Sequence, residues 1–246
     1  MMNKPTCLDL FSGAGGLSRG FMDAGFNVVL GVDFDDTALK TFKANHGDAD
    51  AMKLDLFNLD NVNRIVEYLN DRKIKLDVLV GGPPCQGFSL AGPRNKDDQR
   101  NTLYQAMVNL AALVKPRFVV LENVPGMIKL YDGKAAKRII EDFTELGYTM
   151  TCKELYAPDY GVPQIRRRVF FVGILGGEKE FDYPTRILTK EQYITAEDAI
   201  GDLPALENIY GEEEQEYPTE PLTEFQALMR KNSTVIRNHI GTIHDE

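Results

Sequence analysis

The chain has 246 residues, of which 43% are hydrophobic and 26% are charged, as in a globular protein with one sizeable core. No apolar run reaches the roughly 20 residues that a membrane-spanning helix needs, and the first residues lack the layout of a signal peptide, so we expect a cytoplasmic protein without a membrane partner. The net charge of −9 excludes a uniformly basic surface, but residues 197–224 alone carry ten acidic side chains and no Lys or Arg, and the rest of the chain has a net charge of +1.

Short apolar runs alternate with helix-like stretches, a pattern typical of βαβ units and of a mostly parallel sheet. The sequence therefore predicts an α/β fold, with strands in chain order at 6–10, 27–32, 77–81, 118–121 and 169–173. A helix is predicted over 103–114, because apolar residues recur there at helical spacing. The runs at 76–81 and 117–122 are continuously apolar, which indicates central strands covered on both faces.

The pattern loosens from about residue 177, where prolines become frequent. We predict one domain over 1–176. Residues 177–246 are interpreted as a connector with one or two short helices, for example around 195–201. The acidic segment lies within this connector, and we expect it to be solvated rather than bound to nucleic acid.

The first motif, DLFSGAGG at 9–16, places a Gly-rich turn between a predicted strand and a helix. Gly13 and Gly15 allow a ligand to approach the backbone closely, because they have no side chain. Asp33 ends the next predicted strand, where a carboxylate can accept hydrogen bonds from a ribose diol. Taken alone, the same letters are also compatible with a plain tight turn.

The second motif, GGPPCQGFS at 81–89, follows a predicted buried strand and so lies at the carboxyl edge of the sheet, where ligands bind in this architecture. Two prolines stiffen the backbone before Cys85, and three glycines remove side-chain bulk around it. A nucleophilic thiol must be exposed and held in one geometry, so these neighbours favour a reactive Cys85. Cys7 and Cys152 lie in apolar runs and are expected to be packing residues. We predict no metal site, because no Cys or His pair has ligand spacing.

Two further motifs carry charged side chains. In ENV at 122–124, Glu122 ends a predicted strand and would lie beside the Cys85 segment if the strands at 76–81 and 117–122 are neighbours. A buried carboxyl group there could stay protonated and donate to a ring nitrogen. In QIRRRVFF at 164–171, Arg166 and Arg168 would share one face of a strand, where paired guanidinium groups suit a base carbonyl or a phosphate.

Together and in this order, the four motifs make the chain similar to the DNA cytosine-5 methyltransferases over residues 5 to about 205. PPCQGFS and QIRRR are the most specific of them. The resemblance implies a Rossmann-like, S-adenosylmethionine-dependent methyltransferase fold, with 1–176 as the catalytic and cofactor-binding domain. It also implies DNA methylation of the restriction–modification kind, with S-adenosyl-L-methionine as cofactor and double-stranded DNA as partner.

The resemblance assigns roles to single residues. Cys85 resembles the thiolate that attacks carbon 6 of a flipped cytosine, and Glu122 resembles the acid that engages ring nitrogen 3. Arg168, with Arg166 beside it, resembles the group that holds the base carbonyl. The family usually has Glu at position 33, so the shorter Asp makes the ribose contact less certain. The residues that the resemblance implies for cofactor binding are Phe11, Gly13, Gly15, Asp33, Phe34, Asp55, Pro84 and Leu103.

The family normally continues into a target-recognition region and then into QGFP and GN-V elements, which are absent from this sequence. We therefore expect either a truncated chain or the larger subunit of a two-chain methyltransferase, with 177–246 as a connector toward the recognition region. Activity is expected to need the missing part. Two alternatives stay open, a tRNA cytosine-5 methyltransferase of the same fold and a catalytically incomplete subunit that needs a partner chain. The GFS after Cys85 is the DNA-type form and favours DNA.

Overall fold

The computed structural model describes residues 4–84, 103–129, 132–206 and 212–241. Two units can be distinguished along the chain, and each is described by itself. The sheet unit consists of Met1–Leu155 and Arg167–Tyr183. The second unit consists of Tyr156–Arg166 and Pro184–Glu246.

Seven strands make up the sheet of the sheet unit: β1 (Thr6–Leu10), β2 (Asn27–Asp33), β3 (Asp50–Lys53), β4 (Val78–Gly81), β5 (Phe118–Asn123), β6 (Tyr148–Tyr156) and β7 (Arg167–Leu175). Their order across the sheet is β3-β2-β1-β4-β5-β7-β6. The five strands from β3 to β5 run parallel to one another, and β7 pairs antiparallel with β5. The predicted α/β fold with a mostly parallel sheet is confirmed.

Successive side chains of a strand point to opposite faces of the sheet. Both faces carry apolar side chains, because helices cover both of them. On one face, Leu8 and Leu79 belong to the larger core cluster. On the other face, Cys7 and Val78 belong to a smaller cluster, which contains the buried ring of Phe42. The helices of the sheet unit are α1 (Gly16–Asp23), α2 (Asp36–Asn45), α3 (Val62–Asp71), α4 (Tyr104–Val114), α5 (Gly126–Lys129) and α6 (Lys134–Glu145).

All five predicted strands are present, with ends that differ from the prediction by two residues at most. The helix predicted over 103–114 is also present, as α4. The sequence does not predict β3 or β6, which lie at the two edges of the sheet. The strand β3 is only four residues long, and β6 mixes polar with apolar side chains, so neither has a clear strand pattern. Cys7 is buried and Cys152 is half-buried, in agreement with packing roles.

Among its described residues, the second unit contains two short α-helices, two 3-10 helices and a pair of two-residue strands. Helices α7 (Ala196–Ile200) and α8 (Glu224–Arg230) each begin with a capping box, formed by Thr195 with Asp198 and by Thr223 with Gln226. The strands β8 (Glu214–Gln215) and β9 (Ile236–Arg237) pair antiparallel. The helix predicted around 195–201 is therefore present as α7.

The structure divides the chain differently from the predicted boundary at residue 176. Residues 177–183 belong to the sheet unit, where the Tyr183 hydroxyl donates to the carbonyl oxygen of Phe170 at 2.8 Å. Residues 156–166 belong to the second unit, where the carbonyl oxygen of Asp159 accepts hydrogen bonds from the backbone at 187 and 188. That 177–246 leads toward a recognition region stays a prediction. Within the described ranges, no helix is both long and apolar enough to cross a membrane.

Candidate functional site

A cavity of about 650 Å³ opens at the carboxyl ends of the parallel strands. Its volume is in the range of pockets that hold a cofactor-sized ligand. Residues that follow or end four neighbouring strands form its wall, as expected for a ligand site in this architecture. Six of the eight residues predicted to bind the cofactor line it: Phe11, Asp33, Phe34, Asp55, Pro84 and Leu103.

Asp33 fastens the Gly-rich turn to the end of β2. Its Oδ2 accepts a hydrogen bond from the backbone N–H of Gly13 at 2.8 Å. Its Oδ1 accepts from the N–H groups of Phe34 and Asp35, at 2.8 and 3.0 Å. The carboxylate thus sits in the cavity wall while it holds the turn, and its ribose contact stays a prediction. The aromatic side chain of Phe34 is 68% exposed, so one ring is available to a planar ligand.

Among the described residues, the cavity wall does not include Gly13 and Gly15, the two remaining predicted cofactor residues. Gly13 is in the turn that Asp33 holds. Gly15 is buried with φ of 91°, and a Cβ atom added there would lie 2.2 Å from Cε1 of His46. Gly15 is therefore required by the backbone conformation and by the packing behind the turn.

Asp9, in the last part of β1, is a buried carboxyl group beneath the turn. Its Oδ2 accepts a hydrogen bond from the Ser18 hydroxyl at 2.6 Å, which ties β1 to the first turn of α1. Burial raises the pKa of Asp9 to about 7, and the negative charge of Asp33 adds to this, whereas the hydrogen bonds from Ser18 lower the pKa. Asp9 is thus a titratable group at neutral pH within the first motif.

Glu122 and Arg168 form an ion pair at the carboxyl end of β5. The antiparallel pairing of β5 with β7 brings them together, and Nε of Arg168 lies 2.7 Å from Oε1 of Glu122. Both side chains are about three-quarters buried, at 26% and 27% exposed. A Cβ atom added to Gly82 would lie 3.4 Å from Oε2 of Glu122, so β4 and β5 are neighbours as the sequence analysis supposed. Nη1 of Arg168 donates to the carbonyl oxygen of Arg167 at 2.7 Å, which further orients the guanidinium group.

The three consecutive arginines have different surroundings. The strand β7 begins at Arg167, and Arg166 immediately precedes it, so a strand face shared by Arg166 and Arg168 stays a prediction. The backbone carbonyl of Arg166 accepts a hydrogen bond from the N–H of Ala157 at 2.8 Å. Arg167 pairs with Glu154 at 2.9 Å on the exposed edge.

Cys85, the predicted nucleophile, lies outside the described residues. The described chain before it reaches the site: Pro84 lines the cavity and Gly82 adjoins Glu122. The predicted role of Cys85 therefore stays a prediction.

Sequence reasoning missed part of the cavity wall. The additional lining residues are Lys53, Leu54, Leu56, Phe57 and Gly82. The sequence contains a pattern that could have indicated Phe57, because the letters DLF at 9–11 recur at 55–57. In both places the Phe of this pattern lines the cavity. The half-exposed ring of Phe57 follows the short strand β3, which the sequence pattern did not reveal.

Comparisons with known proteins agree on one family. The model of the family described as C-5 cytosine-specific DNA methylase matches residues 5–246. The Type II methyltransferase M1.HphI of Haemophilus parahaemolyticus is 43% identical over 205 residues, which cover 82% of this chain and 53% of that protein. The Type II methyltransferase M.DdeI of Desulfomicrobium norvegicum is 38% identical over 249 residues, which cover 97% and 58%.

Among solved structures, a prophage-encoded E. coli protein that is described as a DNA modification methyltransferase matches with a TM-score of 0.78 at 26% identity. The match covers 98% of this chain and 73% of that protein. The chain thus spans somewhat more than half the length of the two curated relatives and most of this structural neighbour.

Proposed function

Because the chain belongs to the C-5 cytosine-specific DNA methylase family, we propose that it transfers a methyl group from S-adenosylmethionine to carbon 5 of a cytosine in duplex DNA. One observation carries the proposal. Gly82 both lines the cavity and adjoins Glu122, so the cavity and the Glu122–Arg168 ion pair share one edge of the sheet. A methyl donor in the cavity and a base at the ion pair would then be adjacent.

The residues around the cavity fit S-adenosylmethionine. Phe11 and Phe34 offer aromatic surface to an adenine ring, and Asp33 and Asp55 offer carboxylates to hydroxyl or amino groups. When bound, S-adenosylmethionine supplies an electrophilic methyl group on a sulfonium. Its positive charge suits a wall that contains acidic and aromatic side chains.

The remaining chemistry falls to side chains of this chain. Cys85, as thiolate, adds to carbon 6 of the cytosine, while Glu122 engages ring nitrogen 3 and Arg168 holds the ring carbonyl. Addition at carbon 6 makes carbon 5 nucleophilic, so carbon 5 can accept the methyl group. A base then removes the proton from carbon 5, and the Cys85 thiolate leaves as the ring double bond re-forms.

A cytosine stacked in duplex DNA cannot reach these groups, so the base must flip out of the helix. We therefore propose double-stranded DNA as the partner and the cytoplasm as the place of action. The comparisons give no support to the second subunit that the sequence analysis considered.

Covalent trapping tests the proposal. Duplex DNA amplified with 5-fluorocytosine and containing many sequences is mixed with the protein and S-adenosylmethionine. Fluorine at carbon 5 blocks the elimination, so we expect a DNA–protein adduct that survives denaturing electrophoresis. Cys85→Ser should give none, because a hydroxyl is far less acidic than a thiol. Trapping on tRNA instead of DNA, or an adduct that Cys85→Ser forms as well as the wild type, would contradict the proposed function.

A further inference from the structure

We propose that His46 is a positioning residue, which holds the Gly-rich turn of the proposed cofactor site from behind; this inference rests on the proposed function. His46 is the C-cap residue that follows α2, and it is almost fully buried, at 2% exposed. Among the described residues, those that line the cavity do not include His46. His46 can therefore act on the cofactor only through the turn.

The imidazole ring of His46 lies between two carbonyl oxygens. Its Nε2 is 2.9 Å from the oxygen of Gly15, and its Nδ1 is 2.7 Å from the oxygen of Phe42. A carbonyl oxygen only accepts hydrogen bonds, so each ring nitrogen must carry a hydrogen to form one. The ring also stacks on Phe42, with centroids 4.2 Å apart and planes 7° apart.

The contact with Gly15 fixes the turn and the start of α1 together. The carbonyl oxygen of Gly15 also accepts the N–H of Arg19 at 2.8 Å, the first hydrogen bond of α1, and the N–H of Gly15 donates to the oxygen of Ser12 at 2.9 Å. The turn is thus held at two points, in front by Asp33 at Gly13 and behind by His46 at Gly15. The close packing of Gly15 on the His46 ring leaves no room for the turn to move toward α2.

Loss of the rear contact should weaken cofactor binding, because the cofactor must then order the turn when it binds. One net hydrogen bond corresponds to about a five- to tenfold change in affinity. Asp33 cannot be used to test this, because it also lines the cavity. His46 separates the two effects, since it supports the turn without being placed in the cavity wall.

Two variants, His46→Gln and His46→Asn, distinguish the hydrogen-bond donor at Nε2 from the bulk of the imidazole ring. The amide nitrogen of Gln can occupy the place of Nε2, whereas the amide of the shorter Asn can replace only Nδ1. Both lose the stacking on Phe42. We expect His46→Asn to bind S-adenosylmethionine about five- to tenfold more weakly than the wild type in titration calorimetry, and His46→Gln to stay within about twofold. The melting temperatures of the two variants should be lowered similarly.

The outcomes separate this inference from the proposed function. One contradicting outcome is that the wild type and both variants bind S-adenosylmethionine with the same affinity. Another is that both variants lose the same factor in affinity. Either outcome would mean that the Nε2 contact does not position the turn. If the wild type itself does not bind S-adenosylmethionine, the proposed function fails, and the inference fails with it.

Discussion

Arg168 is held by two contacts that a lysine cannot reproduce. Its Nε pairs with Glu122 at 2.7 Å, while its Nη1 donates to the carbonyl oxygen of Arg167 at 2.7 Å. A lysine has one point charge and no planar fork, so it can satisfy only one of these contacts. We expect Arg168→Lys to slow covalent trapping on 5-fluorocytosine DNA by about 10- to 100-fold.

The neighbouring arginine provides a matched control. Arg167 pairs with Glu154 at 2.9 Å, and its side chain is 59% exposed. Exposed ion pairs contribute little, so Arg167→Lys should trap DNA at close to the wild-type rate. Equal rates for both lysine variants would show that the fork of Arg168 has no part in the reaction.

Asp9 should make stability depend on pH. Burial raises its pKa in the folded protein to about 7, above the roughly 3.9 of an unfolded Asp. Between about pH 4 and about pH 7, Asp9 is therefore protonated in the folded protein but ionised in the unfolded chain. The stability that Asp9 contributes below about pH 4 is lost as the pH rises to about 7. An asparagine at position 9 resembles the protonated aspartic acid, and its amide oxygen can still accept a hydrogen bond from the Ser18 hydroxyl.

We therefore expect the free energy of unfolding of the wild type to fall by roughly 2 kcal/mol relative to Asp9→Asn between about pH 5 and about pH 7.5. Urea unfolding at several pH values measures the difference. If the free energy of unfolding depended on pH in the same way in both proteins, Asp9 would not titrate in this range.

Two glycines, one just before helix α1 and one inside it, have opposite requirements. Gly15 precedes the first turn, has φ of 91°, and would place a Cβ atom 2.2 Å from His46 and 2.7 Å from Phe42. Gly20 lies inside the helix, is exposed, and has open space around its Cα. The first glycine is needed by the fold, whereas the second only increases the flexibility of the helix.

We expect Gly15→Ala to destabilise the protein by roughly 1–3 kcal/mol, because it adds both backbone strain and a steric clash. Gly20→Ala should stabilise it by roughly 0.5–1 kcal/mol, as expected for alanine in a helix interior. Urea unfolding of both variants checks the pair. A Gly15→Ala protein as stable as Gly20→Ala would contradict the packing described for the turn.

At the level of the chain, the second unit depends on a buried ion pair. Arg230 pairs with Asp202, donates to the oxygen of Thr219 at 2.7 Å, and lies 3.7 Å from the centre of the Tyr217 ring. The side chains of Arg230 and Asp202 are only 11% and 3% exposed. Removing one partner from such a pair leaves an uncompensated buried charge.

We expect Asp202→Ala to destabilise the second unit by about 3–5 kcal/mol, seen as faster amide hydrogen exchange in α7 and α8. Glu214 offers a control, since its ion pair with Arg237 at 3.2 Å is exposed on both sides. Glu214→Ala should therefore change exchange little. Unchanged exchange in Asp202→Ala would mean that other contacts hold this unit together.

The sequence by itself determined the central strands, because a strand covered on both faces is apolar at every position, and that pattern is local. It also predicted which residues would gather at one edge, since motifs that follow parallel strands meet there. Six predicted cofactor residues share one cavity, and Glu122 adjoins the chain that leads to Cys85. Each of these inferences needed only the type of residue and its place after a strand.

Tertiary structure alone decided the features that depend on partners distant in sequence. The edge strands β3 and β6 have weak patterns because the sheet extends on only one side of them. The antiparallel pairing of β5 with β7 brought Arg168 next to Glu122. His46 reaches Gly15 across 31 positions of the chain, a contact that no local spacing encodes. Long-range packing and hydrogen bonding, which a linear pattern does not record, settled these positions.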